Sequence, residues 1–577
     1  MPILLIIQEK HIKLTFNMKF KNLKSIKKIF LILTIFILIA SFFHIAWLSY
    51  KTSFKVVKLL PGSYQKFFNK AHFQTQNTLA NIVDSFYIKT YFHSRYAKNL
   101  KQFNLIMSQA DINNIKADVQ KSMDLGYNDK QTANKQQIIL NYDQKKYSAK
   151  ISFHGGGANN YIFNKTDYNV KLLDGNNIDG IDNFVLFNPS THNWIVPLLA
   201  NKVASNLNLY FNNQYPVAVK TNNKNSGIYL FEEKINSEFL KNRQLLPAEV
   251  IKLRDETRLP HRINTLGLNA HHLSGFDFEI ANIETFDESN EKVLFTLNNL
   301  FKAIKDKKIE ELSGFFDLDY MARYDAYREF FAINHDTAGD NLMMFYSQEN
   351  NKFYPIVRNE GDLNRLAIKG GTTLKSFNFY DLHLEEQYDY PRLFLLLHRN
   401  SEFRVLKYKY LNQLITQYPQ LQKEFKDIYD QYADIFIYDI TDESSVRQKK
   451  KLFNSCLKRI DSNYNLIKKQ FAFSQIAINI INNSDSATIE IIPDSIMPVK
   501  FENFELKFSE DIKPVNIIDK INQDIIIAGF SEDFDLIPTT YSYTINIPAP
   551  VSSVNIKAKN QITGTSIDKI YIGIATN

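Results

Sequence analysis

The chain has 577 residues, 44% hydrophobic and 23% charged, with a formal net charge of +8. That composition is globular and excludes wholesale disorder, and the length exceeds one ordinary core, so two or more domains are expected. The single cysteine, Cys456, excludes an intramolecular disulfide and a cysteine-based zinc site, and the dispersed positive charge calls for no nucleic-acid partner.

Residues 29–48, "IFLILTIFILIASFFHIAWL", have the length of a bilayer-spanning helix, with His44 the only strongly polar residue. Trp47 and Tyr50 stand where an aromatic belt forms, and Lys19, Lys21, Lys24, Lys27 and Lys28 precede the run. Lys51, Lys55 and Lys58 weaken that charge asymmetry without reversing it. The expected arrangement is a single-pass signal anchor. Residues 1–28 form a cytoplasmic basic N-terminus (Met18 is an alternative start), and the main body is periplasmic or extracellular. A cleaved signal peptide fits less well, because the run is long and no clean small-x-small site follows it.

Residues 49–138 are expected to form a helical membrane-proximal segment, since apolar residues recur three and four apart as far as Phe103. Residues 139–471 change pattern. "KYSAKISFHGG", "DYNVKLL", "NFVLFNP", "QYPVAVKTNN" and "SGIYLFEEKI" read as strands, the last two joined by an Asn- and Gly-containing turn. A helix follows from about Asp317 to Ile333, and successive helices run from about Tyr390 to Phe471. In the last of them Val446, Leu452, Phe453, Cys456, Leu457 and Ile460 share helical spacing, which makes Cys456 a buried structural thiol. Residues 472–577 hold short β-rich runs, among them "SATIEIIP", "DIIIAGF" and "SVNIKAKN", as in a β-sandwich.

Phosphoryl transfer asks a protein to hold phosphates, neutralise their charge and place a carboxylate near the acceptor hydroxyl. In kinase-like sites an Asp orients the hydroxyl, a later Asn and a second Asp bind metal, and a Glu positions a phosphate-contacting Lys. Asp336 and Asn341 have the catalytic-loop spacing, with His335 beside the Asp. Downstream, a strand over 353–357 runs into Asn359, Glu360, Asp362 and Asn364. By themselves these residues fit a solvated polar loop better than a site. His192 and Trp194 fit a helix start, and His261, His271 and His272 a surface loop. No Walker-type loop or Gly-x-Ser-x-Gly motif occurs.

Five motifs in order give the pattern a frame: "ISFHGGGANN", "NKTDYNVKL", "GIYLFEEKI", "HDTAGDNLMMFY" and "YPIVRNEGDLNRL". Over about 147–366 they resemble the spore-coat CotH kinase family, secretory protein kinases with an atypical protein-kinase-like fold. The matching positions are Lys165, Tyr168 and Lys171, then Gly227, Tyr229 and Glu233, then Asp336, Asn341 and Tyr346. Two departures stand out. His154 replaces the family's Arg, and the final Pro-Trp-Asp-x-Asp run lacks its Trp, with Asp362 and Asn364 the best match and Glu360 with Asp362 the alternative.

The expected fold is α+β: the resemblance implies an atypical kinase-like domain, and the patterning places helices and a C-terminal β-sandwich after it and a transmembrane helix before it. The resemblance implies ATP with Mg²⁺ or Mn²⁺ as cofactors and a secreted or surface protein as substrate, phosphorylated on Ser or Thr. It implies Asp336 as the catalytic carboxylate, and Lys165 as the phosphate contact with Lys171 as fallback. Glu233 would be the partner of the lysine, and Glu232, its neighbour, would be solvated. His154, Gly155 and Gly156 would form a phosphate-binding turn, and Asn341, Asp362 and Asn364 would be metal ligands. ATP is scarce outside a bacterial inner membrane. Two alternatives therefore stand beside the kinase: a catalytically inactive surface-binding module, and a metal-dependent enzyme acting on cell-envelope glycan.

Overall fold

The computed structural model describes residues 99–125, 134–154, 165–192, 194–255, 281–285, 291–331, 342–358, 392–439, 441, 446–493, 495–509, 511–530, 536–567 and 569–576. All of them lie in one compact unit, Ala80–Asn577. The apolar run 29–48 falls outside them. Among the described residues no helix is long and apolar enough to cross a membrane.

Seven strands close a barrel: β1 (Gln102–Ile106), β2 (Gln136–Tyr142), β3 (Lys145–Phe153), β4 (Tyr168–Leu172), β5 (Asn183–Phe187), β6 (Gln214–Thr221) and β7 (Lys224–Glu233). Their order around the barrel is β1-β2-β3-β4-β5-β7-β6, and the parallel pairing of β1 with β6 closes it. Alternate residues fill the interior, as the two-residue period of a strand requires. Phe231 stacks between Phe184 and Tyr215, with ring centroids 4.6 and 4.5 Å away. The β6–β7 connection is a two-residue turn, Asn222 and Asn223 at φ 49° and 65°, the left-handed backbone that Asn tolerates.

The segment expected to be a helical approach as far as residue 138 is different where it is described. It supplies β1, helix α1 (Gln109–Leu125) and the start of β2. Phe103, the last residue read there by helical spacing, and Leu105 alternate into the barrel and are fully buried. A five-residue strand carries too little pattern to tell the two periods apart.

After the barrel come α2 (Val196–Asn206, lying between β5 and β6 in the chain), α3 (Ser237–Asn242), α4 (Glu291–Lys305), α5 (Ile309–Phe315) and α6 (Leu318–Phe331). A four-stranded sheet of order β11-β10-β8-β9 joins β8 (Ala248–Asp255), β9 (Ala281–Thr285), β10 (Met343–Ser347) and β11 (Lys352–Pro355). Helices α7 (Arg392–Arg399), α8 (Ser401–Ile437) and α9 (Val446–Ala472) complete this lobe. Asn400 caps α8, its side chain accepting the Phe403 N–H at 3.0 Å. On α9, Val446, Phe453, Cys456 and Ile460 are buried at helical spacing, and burial pushes the Cys456 thiol up to about 12.

The C-terminal part is two facing sheets around one core. One has the order β18-β13-β12-β20, from β12 (Gln475–Asn482), β13 (Ser486–Pro493), β18 (Tyr541–Asn546) and β20 (Lys569–Thr576). The other joins β14 (Val499–Phe508), β15 (Val515–Asn516) and β19 (Val551–Asn560). "DIIIAGF" is not a full strand; only its end is one, β16 (Gly529–Phe530), paired with β17 (Leu536–Ile537). Ile526 packs into the sandwich core, while Ile527 packs into the core of the helical lobe. The backbone here bonds to side chains: Tyr541 donates to Ile527 O at 3.0 Å, and Arg404 of α8 to Ala528 O at 2.6 Å.

Candidate functional site

The outer face of the barrel beside α2 carries a polar strip. Strand register sets it: Asn169 pairs with Val185, Val185 with Glu232, and Glu232 with Gln214, so their side chains share one face. One row along, the His154 N–H donates to Asp167 O at 2.9 Å. The far end of the strip is Lys165, whose Nζ donates to Ile228 O. From Ile228 to Glu232 the strip spans about 13 Å, at roughly 3.3 Å per residue.

Lys165 is buried and has three partners: Ile228 O, Asp439 Oδ2 at 2.8 Å and Thr441 Oγ1 at 3.1 Å. Its ammonium also lies 4.7 Å from the Tyr229 ring centroid. Asp439 follows the C-terminus of α8. Its Oδ2 also accepts the Ile228 N–H at 2.9 Å, and its Oδ1 accepts the Thr441 hydroxyl at 2.8 Å. Lys449 of α9 donates to Asp439 O and, at 3.0 Å, to Phe436 O. Burial works to raise the Asp439 carboxyl, but the Lys165 and Lys449 charges outweigh it and hold it below the ordinary range. Gly227 makes room for this plug. Its φ is +94°, and a Cβ there would overlap the Thr441 side chain and stand 2.9 Å from Asp439 Oδ1.

The partner expected for the lysine is therefore corrected. Glu233 forms a two-point pair with Arg243, 2.7 and 3.0 Å, and accepts the Asn213 N–H at 3.1 Å. It lies five residues along β7 from Ile228, roughly 16 Å at strand rise, out of reach of Lys165. Glu232, expected in water, is buried and accepts from Gln214 at 2.8 Å. Burial raises its carboxyl against the opposing charge of Arg358. The signal was present in "GIYLFEE", where Glu232 follows an unbroken apolar run, residues 228–231, of the kind found where both strand faces are covered.

Two residues after Lys165, Asp167 is fully buried. Its Oδ1 accepts the Asn188 N–H at 2.5 Å, and its Oδ2 has no partner among the described residues. Burial pushes this carboxyl well above the ordinary range; the Asn188 bond and the Lys165 charge oppose the shift, and Glu232 adds to it. Strand alternation from Lys165 could have singled out Asp167. No local signal could have found Asp439, which is separated from Lys165 by 274 positions.

His154 is half-buried, with Nδ1 2.7 Å from Asn169 Oδ1 and its ring edge on Phe187. Lys171 is exposed on β4, two residues beyond Asn169 on the same face. Gly155, Gly156, Asp336, Asn341, Asp362 and Asn364 lie outside the described residues, as do His261, His271 and His272. The segments bearing Asn341 and Asp362 adjoin a described hairpin. The Ile356 N–H donates to Met343 O at 2.9 Å, so the chain enters β10 and leaves β11 at one end. Val357 then donates to Tyr210 O at 2.8 Å and bridges to Phe211, beside the barrel. Among the described residues no group of three His, Cys, Asp or Glu could hold a metal ion.

A seven-stranded barrel, a second sheet and a helical lobe, with a buried lysine–carboxylate pair between barrel and helices, define a mixed α+β protein. The family model for the CotH kinase protein matches residues 151–469, and the chain belongs to that family. No curated protein matches the chain.

Proposed function

We propose that this CotH family member transfers the γ-phosphoryl group of ATP to a Ser or Thr hydroxyl of a secreted or surface protein. The transfer would take place on the extracytoplasmic side of a membrane in which residues 29–48 anchor the chain. The observation that carries the reading is the β10–β11 hairpin. It gives the Asn341 and Asp362 segments a common origin next to the barrel, as a metal site with ligands from two loops requires.

In the reaction the acceptor oxygen forms a bond to Pγ as the bond from Pγ to the ADP oxygen breaks, and the hydroxyl proton passes to Asp336. Lys165 would hold phosphate oxygens from the barrel side, and Gly155 and Gly156, which follow His154 in the chain, would offer backbone N–H groups. Asn341, Asp362 and Asn364 would supply oxygen ligands for Mg²⁺ or Mn²⁺, ions that prefer them. A bound cation would neutralise phosphate charge. The described residues do not by themselves provide its ligand set.

One observation favours a second reading, a catalytically inactive surface-binding module: all three donors of Lys165 are already used within the protein. Radiolabel transfer from ATP with Mg²⁺ or Mn²⁺ to a mixed envelope-protein fraction separates the two. Transfer that disappears in Asp336→Ala supports the kinase. No transfer, with no thermal shift at millimolar nucleotide, supports the binding module. Turnover of glycan without nucleotide would place the chain in a third class, the metal-dependent envelope enzyme.

A further inference from the structure

We infer that Asp439 is the positioning residue for Lys165 and that Thr441 is the partner the lysine exchanges for a phosphate oxygen; this rests on the kinase reading above. The three bonds to the ammonium differ in kind. Asp439 is a full charge with both oxygens committed, one to Lys165 and Ile228 N, the other to Thr441. Its own backbone is tied down by Lys449. Thr441 offers a neutral hydroxyl at 3.1 Å, the longest of the three contacts, and that hydroxyl keeps its 2.8 Å bond to Asp439 when the lysine moves. Leaving Thr441 therefore strands neither group, whereas leaving Asp439 would strand a buried carboxylate.

A buried ion pair returns little net stability compared with an apolar replacement, so this one is weak evidence for a purely structural role. The chain nevertheless builds three separate supports for it: the positive φ of Gly227, the Thr441 backbone N–H bond to Asp439 and the Lys449 clamp. They converge on the lysine at the family's motif position. The carboxylate comes from the helical lobe and the lysine from the barrel, so a correctly placed ammonium requires the two to be docked.

Two readouts on the full chain test this. The first needs no nucleotide: acylation of Lys165 by an N-hydroxysuccinimide ester, followed by mass spectrometry with exposed Lys171 as internal reference. Lys165 is expected to be protected in the wild type and to react about tenfold faster or more in Asp439→Asn, once a charged hydrogen bond is lost. The second is the KM for ATP with Mn²⁺. It is expected to rise about tenfold or more in Asp439→Asn with a smaller change in kcat, to recover in part in Asp439→Glu, and to stay level or fall in Thr441→Val. Thermal unfolding of each variant confirms that it is folded.

Equal protection and equal KM in wild type and Asp439→Asn overturn the positioning role. A larger KM rise in Glu233→Gln than in Asp439→Asn restores the other carboxylate and also overturns it. A KM rise in Thr441→Val matching that of Asp439→Asn overturns the exchange. If the wild type shows no nucleotide response at all, the kinase reading falls and the positioning role falls with it. A wild type that responds, with Asp439→Asn responding alike, removes the positioning role alone.

Discussion

Gly227 supports the lysine–carboxylate pair through the side chain it lacks. Its backbone is in the left-handed region and its missing side chain is the space that Asp439 and Thr441 occupy. Gly227→Ala is expected to cost about 2–3 kcal/mol from backbone strain and displacement of the plug, read as a lower urea midpoint. A loss under about 0.5 kcal/mol would mean that the plug relaxes freely. At this scale the motif residues were legible in the sequence, but their partners were not. Lys165 and Gly227 could be picked out by order, whereas Asp439, which joins them, sits in "IYDIT" with no local pattern to mark it.

Helices α6, α7 and α8 are tied by a buried charged cluster on which no motif reports. Asp325 Oδ2 of α6 lies 2.8 Å from Lys407 Nζ of α8 and 2.7 Å from His398 Nε2 of α7. Arg328 donates to Asp325 Oδ1 at 3.1 Å, and Lys407 also pairs with Glu329. Lys407→Met leaves Asp325 without its strongest neighbouring charge and is expected to destabilise the fold by about 3–5 kcal/mol. Chemical denaturation would measure it, and a change below 1 kcal/mol would show that Arg328 and His398 suffice.

The same cluster gives a signed pH dependence. Burial raises the Glu329 carboxyl to about 7, with Lys407 opposing and Asp325 adding to the shift. A carboxyl raised in the folded state contributes stability at low pH and loses it as pH climbs from the unfolded value through the folded one. The stability of Glu329→Gln relative to wild type should therefore increase from about pH 4.5 to 7. His398 runs the other way: burial and the Lys407 charge lower it to about 3, so its contribution is lost as pH falls below about 6.5. Urea midpoints of the two proteins at pH 4.5, 6 and 7.5 check the sign. A difference that is constant or shrinks with pH would contradict the raised carboxyl.

The sandwich is part of the body of the molecule. Arg404 reaches Ala528 O, Asn412 donates to Ile562 O at 3.1 Å, and Asn560 donates to Phe471 O at 2.9 Å. Ile496, Met497 and Ile527 from the C-terminal part lie in the core shared with the helices. Residues 99–577 are expected to unfold in one calorimetric transition, and truncation after Phe473 should lower its temperature by exposing that apolar contact. Two well-separated transitions in the intact chain would show a tethered module instead.

Strand and helix patterning in the sequence settled which segments are β and which are α over most of the described chain, because burial on one face imposes a period of two or 3.6. Motif order settled the family and singled out Lys165. The failures have one origin. Barrel closure turned residues 102–106 into a strand, the packing on both faces of β7 buried Glu232, and the docking of α8 on the barrel gave Lys165 to Asp439 and left Glu233 to Arg243. Each depends on which distant segment arrives at a surface. That is fixed by three-dimensional packing and leaves no periodic trace in the chain.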